Sequence, residues 1–153
     1  MKISKYLKAD LCIMQMQART KEEAVKEISL KLEQEGKIKD IDKFINDILE
    51  RENLGSTGIG HGIAVPHSRT DIVSDFVIGF GRSKEGIDFN AIDGDKVNLI
   101  FLMGANPKEL NLYLRLLAEL SKFLMKASFR RELMEAKSGD DVVAAIKRFE
   151  EEQ

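Results

Sequence analysis

The residues of this sequence best suited to chemistry are its two histidines, and both lie in the segment 58–67. The segment has glycines at three alternate positions and ends in Pro66 and His67. An unperturbed imidazole has a pKa of about 6.5, so near pH 7 much of it is neutral and nucleophilic. Acceptance of a phosphoryl group is therefore a chemistry that this segment can support.

The local backbone favours presentation of His67. Pro66 fixes its own φ and restricts Val65 to extended geometry, which stiffens the chain that delivers the imidazole. The alternate glycines leave one side of an extended backbone without side chains, which predicts room for a ligand or for another protein's backbone. From residue chemistry alone, the alternative that His67 is a loop histidine bonded to a carbonyl stays open.

Other site chemistries lack their signatures. Six residues of extended chain would separate His61 from His67 by about 20 Å, which is too far for a shared metal ion. The phosphate-loop pattern G-x-x-x-x-G-K-[ST] is absent, and the glycines run G-x-G-x-G rather than G-x-G-x-x-G. We therefore predict no metal and no nucleotide or other cofactor.

Composition narrows the class of protein. The hydrophobic residues, 43% of the 153, are spread along the chain and predict one domain over residues 1–153. The 24 basic and 26 acidic residues are interleaved, which argues against nucleic acid as a partner. No run approaches the roughly 20 apolar residues of a membrane span, so we expect no membrane insertion and a cytoplasmic location. The single cysteine, Cys12, is predicted to be a half-buried thiol.

Local signals place several helices around this segment. Thr20 and Glu23 form a capping-box pattern ahead of a helix that Gly36 closes. Asp40 or Asp42 can cap a second helix, which ends before the glycine-rich segment. The predicted later helices are a leucine-rich one opened by Asn106 and Pro107, one over residues 129–136, and one introduced by residues 138–141.

Short apolar runs at residues 11–16, 76–80 and 97–103 predict strands. The last two are almost continuously apolar, which indicates burial on both faces of a sheet that helices cover. The fold class predicted is therefore mixed α/β. Residues 150–153 are predicted to form a frayed, solvated tail.

A motif of fixed spacing runs from the end of the second helix to the active-histidine candidate. Its positions are Glu52, Ile59, Gly60, Ile63, Ala64, Val65, Pro66 and His67. This run resembles the phosphorylation site of the fructose/mannitol-type enzyme IIA domains of the bacterial phosphoenolpyruvate:sugar phosphotransferase system. The likeness extends to the Arg51–Glu52 pair and to the leucine-rich helix, and so covers most of the chain.

The resemblance implies a function and a fold. Such domains accept a phosphoryl group from the carrier protein HPr on a histidine, here His67, and pass it to enzyme IIB. Arg51 matches a family arginine close to the site, where a guanidinium can hold phosphoryl oxygens. The implied fold is the phosphotransferase/anion-transport type, and transfer between protein nucleophiles requires neither ATP nor a metal ion.

Two positions depart from the family pattern. Tyr113 stands where many relatives have a second histidine, and a phenol can donate a hydrogen bond but cannot act as a base near pH 7. Ser68 follows the active histidine, where relatives usually have glycine or another small residue, and its hydroxyl or amide could reach a phosphoryl oxygen. His61 occupies a variable position and is predicted to be a loop histidine near the partner surface.

The resemblance leaves two alternatives to sugar uptake. Nitrogen-regulatory members of the family bind regulatory protein targets according to their phosphorylation state, and the lack of a fused IIB or IIC segment in these 153 residues favours them. The other alternative is a non-catalytic ligand-binding module. For a carrier, Leu54, Ile59 and Ile63 are candidates for an apolar rim around His67.

Overall fold

The computed structural model describes residues 2–152, and a six-stranded mixed sheet forms its centre. The strands are β1 (Cys12–Ile13), β2 (Gly58–Gly60), β3 (Ile63–Ala64), β4 (His67–Arg69), β5 (Phe76–Ile87) and β6 (Val97–Ala105). Their order across the sheet is β1-β5-β6-β3-β2, and β4 pairs with β6 beyond the end of β3. The fold is mixed α/β, as the sequence predicts.

Helices cover both faces of this sheet. They are α1 (Lys21–Gln34), α2 (Ile41–Asn53), α3 (Leu110–Leu124), α4 (Ala127–Glu135) and α5 (Gly139–Glu151). Ile28 of α1 packs against Gly79, and Phe44 of α2 packs against Gly104. Because Val77 pairs with Gly104, and because residues two apart on a strand share a face, α1 and α2 lie on the same side.

The opposite face carries the largest buried side chains of the central strands. Phe80 pairs with Phe101 in the β5–β6 register, and both are fully buried. Arg82 points to this face as well, where its guanidinium donates to the last carbonyls of α4. These bonds place α4 on this face. His67 belongs to it as well, because its partner Met103 pairs with Ile78, two residues from Phe80, and Tyr113 of α3 lies beside His67.

Most of the helix boundaries predicted from local sequence signals are confirmed. Thr20 and Glu23 form a complete capping box at the start of α1. Gly36 has a φ of 73° just after α1 ends, and Asp40, not Asp42, caps α2. Pro107 lies in a short 3-10 turn, Pro107–Glu109, which leads into α3.

Two predictions at the chain ends are wrong. The strand expected over residues 11–16 has only two residues, Cys12–Ile13. The expected tail is mostly helical, since α5 continues to Glu151, and Glu150 is buried and accepts hydrogen bonds from the amide and hydroxyl of Ser4. Gln153 lies outside the described residues.

Cys12 is half-buried, as predicted, and burial is the main reason why its thiol pKa rises to about 12. The thiol is therefore protonated and unreactive near neutral pH. Across residues 2–152, none of the helices combines the length and the apolar character needed to cross a membrane.

Candidate active site

The backbone of His67 is fixed by the sheet. His67 begins β4, which pairs in parallel with β6, and lies in register with Met103. One residue earlier, the Pro66 carbonyl accepts a hydrogen bond of 3.0 Å from the Met103 amide. The histidine is therefore a strand residue at the end of a short pairing, not a loop residue.

Within residues 2–152, one ring nitrogen of His67 has a hydrogen-bond partner and the other has none. Nδ1 lies 2.6 Å from the carbonyl oxygen of Val65. A carbonyl can only accept, so Nδ1 carries the proton and donates it in this bond. In the neutral imidazole the lone pair then resides on Nε2, the nitrogen suited to attack an electrophile.

The surroundings keep this imidazole neutral. Partial burial lowers the pKa of His67 below its ordinary value, and the positive charge of Arg51 lowers it further. The bond to Val65 and the carboxylate of Glu52 act in the opposite direction, but burial is the largest cause. At pH 7 the side chain is thus a neutral nucleophile.

Tyr113 of α3 lies beside the imidazole. The two ring centroids are 5.7 Å apart and the planes are inclined by 53°. Burial raises the pKa of Tyr113 to about 12, although the charges of Arg51 and Arg69 oppose this shift. The phenol is therefore protonated at every physiological pH and is available as a hydrogen-bond donor.

Two arginines line the same open depression. Arg51, in the last turn of α2, donates from Nη1 to the Gly55 carbonyl at 3.2 Å. Arg69 follows His67 by two residues on β4, so strand alternation places the two side chains on one face. A guanidinium binds phosphate and carboxylate oxygens well, which makes the depression suited to an anionic group.

Apolar side chains complete the lining on one side. Leu110 and Leu114 project from the start of α3 and remain 40% and 51% exposed, and Pro107 lies at the entrance to the helix. Large exposed leucines next to a polar centre are typical of a surface that meets another protein. The arrangement thus combines a neutral nucleophile, two cations and a neutral donor within an accessible apolar border.

Comparison with known proteins identifies the family. Residues 5–149 match the family described as the phosphoenolpyruvate-dependent sugar phosphotransferase system, EIIA 2. The chain belongs to this family. The EIIA domains are phosphotransfer components of that system.

Individual relatives agree with this assignment. The chain is 37% identical over 146 residues to the fructose-specific EIIABC component of Bacillus subtilis, covering 95% of the chain and 23% of that longer relative. The structure superimposes on nitrogen regulatory protein IIA-Ntr from Neisseria meningitidis with a TM-score of 0.88 and 30% identity, covering 94% and 98% of the two chains. It also matches a solved complex of enzyme IIAMTL with phosphorylated enzyme IIBMTL from Escherichia coli, with a TM-score of 0.77, 26% identity and coverage of 92% and 96%.

In this EIIA chain the residues selected from the sequence come together. Arg51, His67, Ser68 and Tyr113 all line the depression. Ser68 occupies the alternate strand position, opposite Gly104, and its hydroxyl donates to the Arg69 carbonyl at 3.2 Å. Its side chain therefore points away from the face that carries the imidazole.

The open space predicted beside the alternate glycines of this EIIA chain is not found. A Cβ on Gly58 would lie 2.9 Å from the Cα and Cβ atoms of Ala91, so the chain itself fills that side. Gly60 and Gly62 instead form a turn with φ values of 97° and 76°. Between them, His61 is exposed with a φ of 57°, and its amide donates to Asp93.

The predicted apolar rim is partly wrong. Ile63 is a buried core residue, whereas Leu54 is 85% exposed and Ile59 is 37% exposed. The sequence interpretation also missed Arg69, Leu110 and Leu114 as lining residues of this EIIA site. Arg69 could have been found from the two-residue period of a strand, which places its side chain on the same face as that of His67. That inference requires knowing that residues 67–69 form a strand.

The motif residue Glu52 serves the architecture of the site. It is buried, and its carboxylate accepts hydrogen bonds from the amide and hydroxyl of Thr57 at 2.9–3.1 Å. These bonds fix the turn from α2 into β2 and thereby the position of Arg51. Among residues 2–152 there is no group of three or more histidine, cysteine or carboxylate side chains placed to hold a metal ion.

Proposed function

We propose that this EIIA chain is a phosphocarrier that accepts a phosphoryl group on Nε2 of His67 and passes it to a second protein. The observation that carries the proposal is the division of roles within one ring: Nδ1 donates to Val65, which leaves the lone pair on Nε2, and His67 lines a depression together with two arginines. Burial keeps the ring neutral and so preserves the lone pair. These features support a role for His67 as a nucleophile beside a site that can bind the anionic phosphoryl group.

The transfer step balances without a cofactor. The Nε2 lone pair forms a nitrogen–phosphorus bond as the bond from phosphorus to the donor's histidine nitrogen breaks. The donor ring keeps that electron pair and, protonated on its other nitrogen, leaves as a neutral imidazole. The phosphorylated His67 ring becomes positively charged, and its Nδ1 proton remains bonded to the Val65 carbonyl. The second transfer reverses these changes at His67.

The neighbours of His67 have distinct roles in this proposal. The guanidinium groups of Arg51 and Arg69 neutralise the phosphoryl oxygens, which carry negative charge throughout an in-line transfer. The phenol of Tyr113 donates a hydrogen bond to one of those oxygens. Ser68 is the weakest candidate contact, because its hydroxyl would first have to leave the Arg69 carbonyl.

The proposed partners are HPr as donor and enzyme IIB as acceptor, with a sugar of the fructose or mannitol class as the final acceptor. The complex of an Escherichia coli relative with phosphorylated enzyme IIBMTL supports the IIB assignment. The fructose-specific name of the Bacillus subtilis relative supports the sugar class. Both partners would dock on the apolar border of Leu110 and Leu114, since a shuttle can use one surface in turn.

Labelling tests the proposal directly. The protein is incubated with enzyme I, HPr and labelled phosphoenolpyruvate, and we expect acid-labile, base-stable label on the chain. His67→Ala should abolish the label, while the exposed His61→Ala control should retain it. A folded wild-type protein that acquires no label would contradict the proposal and favour a non-catalytic ligand-binding module.

A regulatory role is the second candidate function, and it uses the same phosphorylation. It is favoured by the match to IIA-Ntr, which covers 98% of that chain. The two roles separate after labelling, when the phosphorylated chain is mixed with a fructose-class enzyme IIB. Loss of label to IIB supports sugar uptake, whereas retention of label together with binding of a regulatory target in only one phosphorylation state supports regulation.

A further inference from the structure

A second cleft lies away from the phosphorylation site. Its walls are the segment that follows β1, the second half of β5 and the end of α4, and its volume is about 650 Å³. It shares no lining residue with the depression around His67. Volumes of this order are typical of sites for small molecules.

Arg82 holds the three walls together. Its Nε donates to the Met14 carbonyl at 3.2 Å. Its Nη1 donates to the carbonyls of Leu133, Met134 and Ala136 at 2.6–3.0 Å. These bonds satisfy the carbonyls at the end of α4 and fix the shape of the cleft before any ligand arrives.

The same guanidinium retains donors for a ligand. Among the described residues, Nη2 of Arg82 makes no hydrogen bond, although Nε and Nη1 are both engaged. Arg82 lines the cleft and is only partly exposed. An oxygen acceptor on a ligand could accept a hydrogen bond from Nη2 and so satisfy the remaining donors of Arg82.

The charge of the rim favours an anion. Arg19 pairs with Glu85 at 2.5 Å, but Lys84 and Lys137 have no ion-pair partner within residues 2–152. The lining holds four basic and two acidic side chains in a chain whose net charge is −2. They are Arg19, Arg82, Lys84 and Lys137 against Glu85 and Glu135. The local charge is thus opposite in sign to that of the whole protein.

The remaining lining is apolar and adaptable. Met14, Met16 and Met134 contribute flexible thioether side chains, which adjust to ligands of different shape. We propose that this cleft binds a small organic anion, in which a carboxylate or phosphate meets Arg82 and the rim lysines while an apolar body rests on the methionines.

Protein-observed NMR with phenyl phosphate and benzoate tests the proposal, and benzyl alcohol serves as the neutral probe. We expect at least one anion to give saturable shifts at residues 14–19, 82–86 and 134–137, with the tighter anion identifying the preferred head group. Benzyl alcohol should bind at least about tenfold more weakly, because it lacks the charge.

Variants on the rim keep the test independent of Arg82, whose loss could unfold the protein. The double substitution Lys84→Glu and Lys137→Glu should weaken anion binding about tenfold, while Lys26→Glu with Lys147→Glu, at exposed lysines elsewhere, should not. The proposal would be overturned if neither anion gave a saturable shift or if benzyl alcohol bound equally well. It would also be overturned if the shifts centred on His67, or if the two double variants bound the anion with equal affinity.

Discussion

At the scale of single residues, the imidazole of His67 combines a fixed proton with an available lone pair. The Val65 carbonyl selects the tautomer, burial lowers the pKa, and Arg51 supplies positive charge without acting as an acid or a base. Tyr113 adds a donor that does not titrate near neutral pH. Of His67 and Tyr113, only the imidazole therefore changes protonation near neutral pH.

This arrangement predicts a simple pH profile. Because burial lowers the pKa of His67 below its ordinary value of 6.5, the rate of phosphoryl acceptance should rise with pH, reach half of its maximum below pH 6.5 and level off at higher pH. Tyr113→Phe should keep the shape of the profile with a rate about tenfold lower, since one hydrogen bond to a charged group is lost. Tyr113→His should add the titration of a second imidazole to the pH profile in the same range.

The measurement is the initial rate of label transfer from phosphorylated HPr between pH 5 and 9, with Tyr6→Phe as the matched control. A wild-type rate that is still below half of its maximum at pH 7 would show that most of His67 is charged there, contrary to the lowered pKa. A Tyr113→Phe rate equal to wild type would remove the phenol from the reaction.

Arg69 provides a second residue-scale prediction. It shares a strand face with His67 and lines the depression, so Arg69→Gln should lower the rate of transfer about tenfold. The exposed Arg131→Gln is the control for loss of one positive charge on the surface. Equal rates in the two variants would limit phosphoryl stabilisation to Arg51.

At the scale of elements, the hairpin of β2 and β3, which contains Gly58, Gly60 and Gly62, uses its glycines for packing and turning rather than for ligand access. Gly58 allows the backbone of β2 to lie against Ala91, and the Ile92 amide donates to the Gly58 carbonyl at 3.2 Å. The positive φ values of Gly60 and Gly62 then turn the chain into β3. The three glycines of this segment thus set the direction in which the chain approaches His67.

Gly58→Ala should accordingly destabilise the fold by about 1–3 kcal/mol, because the added methyl group would overlap Ala91. Gly55→Ala is the matched control, since nothing lies within 4 Å of a Cβ at that position. Urea unfolding midpoints measure both effects. A Gly58→Ala protein as stable as Gly55→Ala would show that the segment around Ala91 moves to accommodate the added methyl group at little cost in free energy.

The elements also show what a sequence can reveal. The capping box of Thr20 and Glu23 depends on residues three apart, and it was predictable for that reason. The burial of Glu150 depends on Ser4, which is 146 positions away, and no local pattern signals that contact. Arg69 falls between these cases, because its signal is local but requires the strand to be recognised.

At the scale of the whole molecule, the site lies where elements from both faces of the sheet meet, since Arg51 comes from the end of α2 and Tyr113 from α3. One face is packed by α1 and α2, while the other carries His67 next to α3 and its exposed leucines. The family motif predicted the histidine and the overall fold, because its spacing is specific. It could not predict the apolar border, since the exposure of Leu110 and Leu114 depends on how α3 lies on the sheet.

A shared docking surface leads to a prediction for both partners. Leu114→Asp should raise the KM for phosphorylated HPr about tenfold and weaken transfer to IIB by a similar factor, because a charge replaces an exposed apolar contact. Leu30→Asp, at a leucine of similar exposure on α1, should change neither. Loss of only one transfer would assign separate surfaces to the two partners.

The most direct test of the account is the site of phosphorylation. Phosphorus–proton correlation NMR on the chain after treatment with enzyme I, HPr and phosphoenolpyruvate should show one phosphohistidine, with phosphorus on Nε2 of His67, and no signal in His67→Ala. Phosphorus on Nδ1, on His61, or on any other residue would contradict the role that the bond to Val65 assigns to the imidazole.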